Sequence, residues 1–158
     1  MKTGIIIHSN TSNTLSIGER LLETLRSKGA DAGLERVTAV NEDAKTQREI
    51  RLASTPDIGP YGMVILGAPV HGFALSRAMT AYIKQLPGLQ GKKVFCFVTE
   101  HFPKPWMGGN RAIRQMTQLV TELGGTVIRT AVVNWTSKAR EEQISRLVTA
   151  FTADSIGG

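Results

Sequence analysis

The sequence predicts an α/β fold: a doubly wound, five-stranded parallel sheet in the order 2-1-3-4-5, flavoured by helices on both faces. Three observations lead there. Short apolar runs alternate with longer segments whose apolar residues recur at helical spacing. The first, third and fourth runs are apolar on both faces, as strands buried in a parallel sheet are. The second run carries charges that suit a sheet edge. Alternation of strand and helix implies right-handed crossovers, and the order 2-1-3-4-5 puts the apolar strands in the centre.

Gly4-Ile5-Ile6-Ile7-His8 is a β-branched run of strand length. Leu15, Ile17, Leu21, Leu22 and Leu25 follow at helical spacing and stop at Lys28-Gly29, a good helix C-terminus. Leu34-Glu35-Arg36-Val37 is the edge strand. From Asn41 to Ala53 the polar-rich segment reads as a helix with a thin apolar face. Met63-Val64-Ile65-Leu66-Gly67 is the third strand, and Leu75, Ala78, Met79, Tyr82, Ile83 and Leu86 form a helical stripe ended by Pro87-Gly88. Lys93 to Val98 is the fourth strand, and Ile113, Met116, Leu119, Val120 and Leu123 mark a helix ended by Gly124-Gly125. Thr126 to Val133 is the fifth strand. Ile144, Leu147, Val148 and Phe151 mark the last helix, with Thr136 or Ser137 as its cap.

The 158 residues are expected to form one domain over 1–154, with a flexible tail at 155–158. Apolar residues at 41% and charged residues at 20% exclude disordered and collagen-like classes. A single cysteine, Cys96, lies in an apolar run and makes neither an internal disulfide nor a zinc cluster. No apolar stretch approaches the ~20 residues of a membrane span, and Met1-Lys2-Thr3 leads into a strand without a secretory apolar region. A cytoplasmic protein, monomer or homodimer, without membrane contact is the expectation. The 19 Lys and Arg against 13 Asp and Glu leave a net charge of +6. These cations are scattered and mostly sit beside acids, with no basic run interleaved with stacking aromatics, so no nucleic-acid partner is expected.

In open α/β sheets, ligands bind where neighbouring strands send the chain in opposite directions. That directs attention to the loops after His8, Gly67 and Val98. The first reads Ser9-Asn10-Thr11-Ser12-Asn13-Thr14, with four hydroxyls and two amides ahead of a helix. Backbone N–H groups at a helix start favour a phosphate dianion. The plainer alternative is an N-cap cluster, although six capping-type residues exceed what one cap requires. There is neither the Gly-Lys-Ser/Thr of an ATP loop nor the Gly-x-Gly-x-x-Gly of a dinucleotide fold.

This loop resembles the Ser/Thr-x-Thr-Gly-x-Thr phosphate loop of the flavodoxin-like family. The element order, the length and Gly67-Ala68-Pro69-Val70-His71-Gly72 resemble that family over nearly the whole chain. The resemblance implies FMN as cofactor, with Ser9, Asn10, Thr11, Ser12, Asn13 and Thr14 around its phosphate. Ser12 departs from the pattern, because the family usually has glycine there. If the position requires a positive φ, serine carries a conformational cost.

By the same resemblance Ala68, Pro69, Val70, His71, Gly72 and Phe73 lie against the isoalloxazine ring, with Gly72 letting a peptide turn toward it. The alternative is an ordinary βα loop, which also favours Pro and Gly. The last loop supplies Thr99, Glu100, His101, Phe102, Trp106, Gly108 and Gly109. Phe102 and Trp106 are large apolar groups in a segment expected to face solvent, which suits stacking on a planar ligand. A contact of Trp106 with a neighbouring helix or a second subunit is the competing reading.

His8, His71 and His101 all fall near strand ends, yet without a short-spaced ligand pair or an acidic cluster no metal site is expected. His71 and His101 are the candidates for supplying a proton or hydrogen bond during flavin reduction. No Ser-His-Asp set or Gly-x-Ser-x-Gly elbow is present. The leading expectation is an FMN protein that transfers electrons. The alternatives are a small NAD(P)H-dependent quinone or ferric reductase, and a cofactor-free binding module on the same fold. Electron carriers of the family are usually acidic. Arg77, Lys104, Arg111 and Arg114 fall near the ring loops here, so the expectation is a redox partner with an acidic face, or a small-molecule acceptor, and a less negative midpoint potential.

Overall fold

A computed structural model describes residues 1–41 and 50–153. The elements are β1 (Thr3–His8), α1 (Asn13–Ser27), β2 (Ala32–Ala39), β3 (Leu52–Ser54), β4 (Met63–His71), β5 (Ala74–Leu75), α2 (Arg77–Gln85), β6 (Lys93–Glu100), α3 (Gly109–Glu122), β7 (Thr126–Asn134) and α4 (Arg140–Thr152). The sheet runs β3-β2-β1-β4-β6-β7, and β5 pairs with β4 alone. The β1, β2, β4, β6 and β7 pairings are parallel, so the predicted 2-1-3-4-5 order is present within the larger sheet.

Every residue of β1 is buried, and so are Met63 to Ala68 of β4 and Val94 to Glu100 of β6. Side chains alternate across the sheet and divide the core in two. Ile6, Val64, Leu66, Val94 and Cys96 pack against α2 and α3. Ile5, Ile7, Ile65, Phe95 and Phe97 pack against α1 and α4. Complete burial of one such Ile or Phe side chain is worth about 1.5–3 kcal/mol, so these central strands fix the register. Burial also pushes the Cys96 thiol up to about 12, which leaves it protonated and unreactive at neutral pH.

Four details differ from the sequence reading. The helix predicted from Asn41 to Ala53 gives way at its described end to β3, which pairs antiparallel with β2; residues 42–49 lie outside the described residues, as do 154–158, including the predicted tail. β3 therefore lies outside β2, the predicted edge strand. Leu75 belongs to β5 rather than to the helical stripe, and α2 begins after Ser76, whose hydroxyl accepts from Met79 N at 3.3 Å. Neither Thr136 nor Ser137 caps α4, which starts behind Ala139; Thr136 instead donates to His101 O at 2.7 Å. No helix among the described residues is long and apolar enough to cross a membrane.

Candidate functional site

The chain leaves β1 toward the face covered by α1 and α4, and leaves the β4–β5 hairpin toward the face covered by α2 and α3. A crevice opens at the strand ends where the two departures diverge. Its floor is polar but buried. His8 Nδ1 and Ser76 Oγ lie 2.8 Å apart, and Thr14 Oγ1 and Thr99 Oγ1 lie 2.9 Å apart. These pairs join the ends of β1 and β6 to the first turns of α2 and α1. His8 is 2% exposed, so it is a core residue rather than the half-buried one its strand-end position suggests.

The Ser9–Thr14 loop lies above this floor. Ser9 is buried, Asn10, Thr11 and Ser12 are exposed, Asn13 is half-buried and Thr14 is buried. Ser12 is the N-cap of α1 at φ 72°, in the left-handed region, and its side chain makes no capping bond. Ser16 N–H donates to Ser12 O at 2.9 Å and Leu15 N–H to Ser9 Oγ at 3.3 Å. Among the described residues, the backbone N–H groups of Asn10 to Thr14 have no such acceptor. The result is a polar turn with open donors at the positive end of a 15-residue helix.

Beyond Gly67 β4 runs on through Pro69 and Val70 to His71, then folds back as a hairpin. Val70 pairs with Leu75 and His71 with Ala74, leaving a two-residue turn of Gly72 and Phe73. Both have positive φ, 56° and 63°, as a type I′ turn requires. A bulky residue in that region is strained by about 1–3 kcal/mol, and such strain gathers at functional sites. Phe73, 52% exposed, lies parallel to Phe102 of the next loop, with centroids 5.5 Å apart and planes at 1°. Phe73→Gly is therefore expected to keep or raise thermal stability, by up to about 1 kcal/mol, because relief of strain offsets the lost ring contact. A melting curve of the variant checks this; a clear fall in Tm would show that the stacked pair outweighs the strain.

The segment between β6 and α3 is fastened along one side. Trp135 N–H donates to Glu100 O at 2.8 Å, and Asn134 Nδ2 donates to Phe102 O at 3.1 Å. Gly108, at φ 120°, caps α3 against the hairpin, where a Cβ would stand 2.9 Å from Phe73 Cα. Glu100 is 3% exposed, and its carboxylate turns inward instead of lining the loop surface. Asn134 Nδ2 and Gly109 N–H donate to it, while Oε2 is buried without a partner. Burial raises its pKa despite those two bonds, which act in the opposite direction. Trp106 is 73% exposed.

No family model matches the sequence, and no curated protein matches it. Solved structures do. Megasphaera elsdenii flavodoxin superposes with a TM-score of 0.70 at 22% identity, over 96% of this chain and 98% of that one. Flavodoxin 1 from Bacillus cereus gives 0.71 at 18% identity, over 99% and 98%. A flavoprotein from Lactobacillus acidophilus, solved in complex with FMN, gives 0.62 at 16% identity, over 92% and 97%. The chain has the flavodoxin-like fold.

Within this flavodoxin-like chain the three histidines separate into two environments. The His8 and His71 rings meet edge-on with centroids 6.2 Å apart, whereas His101 lies against Phe102 at 5.8 Å. Among the described residues no group of three or more His, Cys, Asp or Glu is placed to hold a metal ion. Thr99, Ala68 and Gly109 are buried, so the first and last of these shape the site from beneath or behind, and Ala68 forms part of the core. Sequence reasoning missed Ser76, Asn134 and Gln143. Gln143 Oε1 accepts from Asn134 N at 2.8 Å and so braces the residue that holds the last loop. The signal available for Asn134 was its place at the carboxyl end of a strand, where polar residues face the crevice of this fold.

Proposed function

We propose that this protein binds FMN non-covalently and transfers electrons through it. The observation that carries the reading is the row of open backbone donors from Asn10 to Thr14 at the start of α1, at the crevice of a flavodoxin-like sheet. A phosphate dianion needs several N–H and O–H donors and no nearby carboxylate. Asn10, Thr11, Ser12 and Asn13 present amide and hydroxyl groups there, and the loop itself contains no acid. The donor set fits the phosphate.

The ring loops fit a planar group in a specific way. A ligand slid between two parallel rings needs two carbon contact distances, about 7 Å in total. Phe73 and Phe102, at 5.5 Å, are closed on each other, so the isoalloxazine lies beside the pair or parts it. Bound flavin supplies the electron-accepting chemistry. The chain supplies the rest. The hairpin and the β6–α3 loop exclude water from one side of the crevice, and the exposed His71 and His101 are within the two loops that would offer a proton or hydrogen bond.

The test is an absorption spectrum of the concentrated protein as purified, repeated after adding FMN and removing the excess. Bands near ~370 and ~450 nm that stay with the protein are expected, and redox titration follows. A protein that stays colourless after FMN addition would overturn the reading in favour of a binding module on the same fold.

A further inference from the structure

Charge is divided between the two faces of the sheet. On one face, α1 carries Glu19 and Glu23 against Arg20 and Arg26, and α4 carries Glu141 and Glu142 against Arg140 and Arg146. Ion pairs form on this face between Arg20 and Glu141 at 3.2 Å and between Arg146 and Glu142. On the other face, α2 has two cations and no acid, and α3 has Arg111 and Arg114 against Glu122 in its final position. Glu100 is the sole acid from Ile58 to Thr121, and it is buried. The same span contains seven Lys and Arg. Lys104, Arg111 and Arg114 are exposed and make no ion pair among the described residues.

Lys104 lies in the loop that displays Phe102 and Trp106, and Arg111 and Arg114 lie in the first two turns of α3, whose cap Gly108 stands against the hairpin that displays Phe73. Three exposed aromatic side chains beside Arg and Lys, with no acid to neutralise them, have the composition of an interface centre and its rim. We infer that this face docks an acidic protein, whose carboxylates meet Lys104, Arg111 and Arg114 and whose apolar centre covers Trp106. Nucleic acid fits less well, because stacking platforms offer free ring faces in a row, and here Phe73 and Phe102 stack on each other. The inference rests on the flavin reading only for the purpose of docking, which is to bring a redox partner to the ring.

The probe is a plant-type [2Fe–2S] ferredoxin of net negative charge, titrated against the whole protein with and without added FMN. Binding is expected at low salt, weakening at least about tenfold toward physiological ionic strength. Arg111→Glu with Arg114→Glu is expected to weaken it by a further ~10-fold or more. Arg20→Glu with Arg146→Glu makes the same change in net charge on the opposite face and is expected to alter binding less than about twofold. Trp106→Ala is expected to weaken binding while leaving its salt dependence unchanged.

Equal weakening by the two charge-reversal pairs would overturn the inference, as would absence of ferredoxin binding. So would tighter binding of a twenty-nucleotide oligo-dT strand, or of phosphatidylserine vesicles, through the same two arginines. Because binding is read with and without FMN, the two readings fail separately. Ferredoxin binding without FMN retention removes the flavin alone, and FMN retention without ferredoxin binding removes the docking face alone.

Discussion

Ser12→Asp is expected to lower FMN affinity by about a thousandfold while leaving the fold intact. The new carboxylate would face the phosphate across the turn, and two unit charges ~4 Å apart repel by about 4 kcal/mol at the effective dielectric of a protein surface. The same substitution is benign to the unbound chain. Aspartate tolerates the left-handed region that Ser12 occupies at φ 72°, and a negative charge at a helix N-terminus stabilises by roughly 0.3–1 kcal/mol. Fluorescence titration of FMN, alongside a melting curve, separates the effects. Unchanged affinity would place the phosphate elsewhere than at the start of α1.

Asn134→Leu is expected to destabilise the protein by about 3 kcal/mol and to release the loop that carries Phe102 and Trp106. The substitution removes the donor to Phe102 O and the acceptor of Gln143 Nε2, while Gln143 Oε1 keeps its bond to the backbone N–H of residue 134. It also leaves the buried Glu100 carboxyl one donor poorer, and such losses cost about 1–3 kcal/mol each where the group is buried. A distinctive sign comes from pH. Burial already raises the Glu100 pKa, so the folded state holds its proton more tightly than the unfolded state does. Stability from this group is fully present below the unfolded pKa and is lost as pH rises through the folded one. Removing the Asn134 donor raises the folded pKa further and extends that decline to higher pH. Denaturant titrations at several pH values check both the size and the shift. A decline that does not move would mean that Asn134 does not act on the Glu100 carboxyl.

The central strands were legible because burial on both faces demands unbroken apolar runs, as in Ile5 to Ile7, Met63 to Leu66 and Val94 to Val98. The first loop was legible for a different reason: a dense group of Ser, Thr and Asn ahead of Leu15 has few purposes other than holding backbone or ligand oxygen. The β4–β5 hairpin was not. Gly-Phe lacks the Asn-Gly or Asp-Gly that marks a type I′ turn, and Pro69 reads as a strand end. Nor was β3, because Leu52-Ala53-Ser54 is too short for any periodicity to register. The inward turn of Glu100 was hidden as well. Its partners are Gly109 and Asn134, and the latter comes from another strand 34 positions away, a proximity that only the folded sheet creates.

The buried pairs beneath the crevice bear on the order in which this chain acquires its structure. His8 and Ser76 are separated by 68 positions, and Thr14 and Thr99 by 85. Closing such large loops comes late, since the entropy lost must first be offset by pairing of the intervening strands. A chain with β1 and α1 formed but β6 undocked has the polar turn and lacks the floor that holds it. On the proposed function, capture of FMN would thus be a property of the completed sheet and not of its first half. Any cofactor that enters therefore selects nearly native molecules from the folding population and stabilises them by mass action.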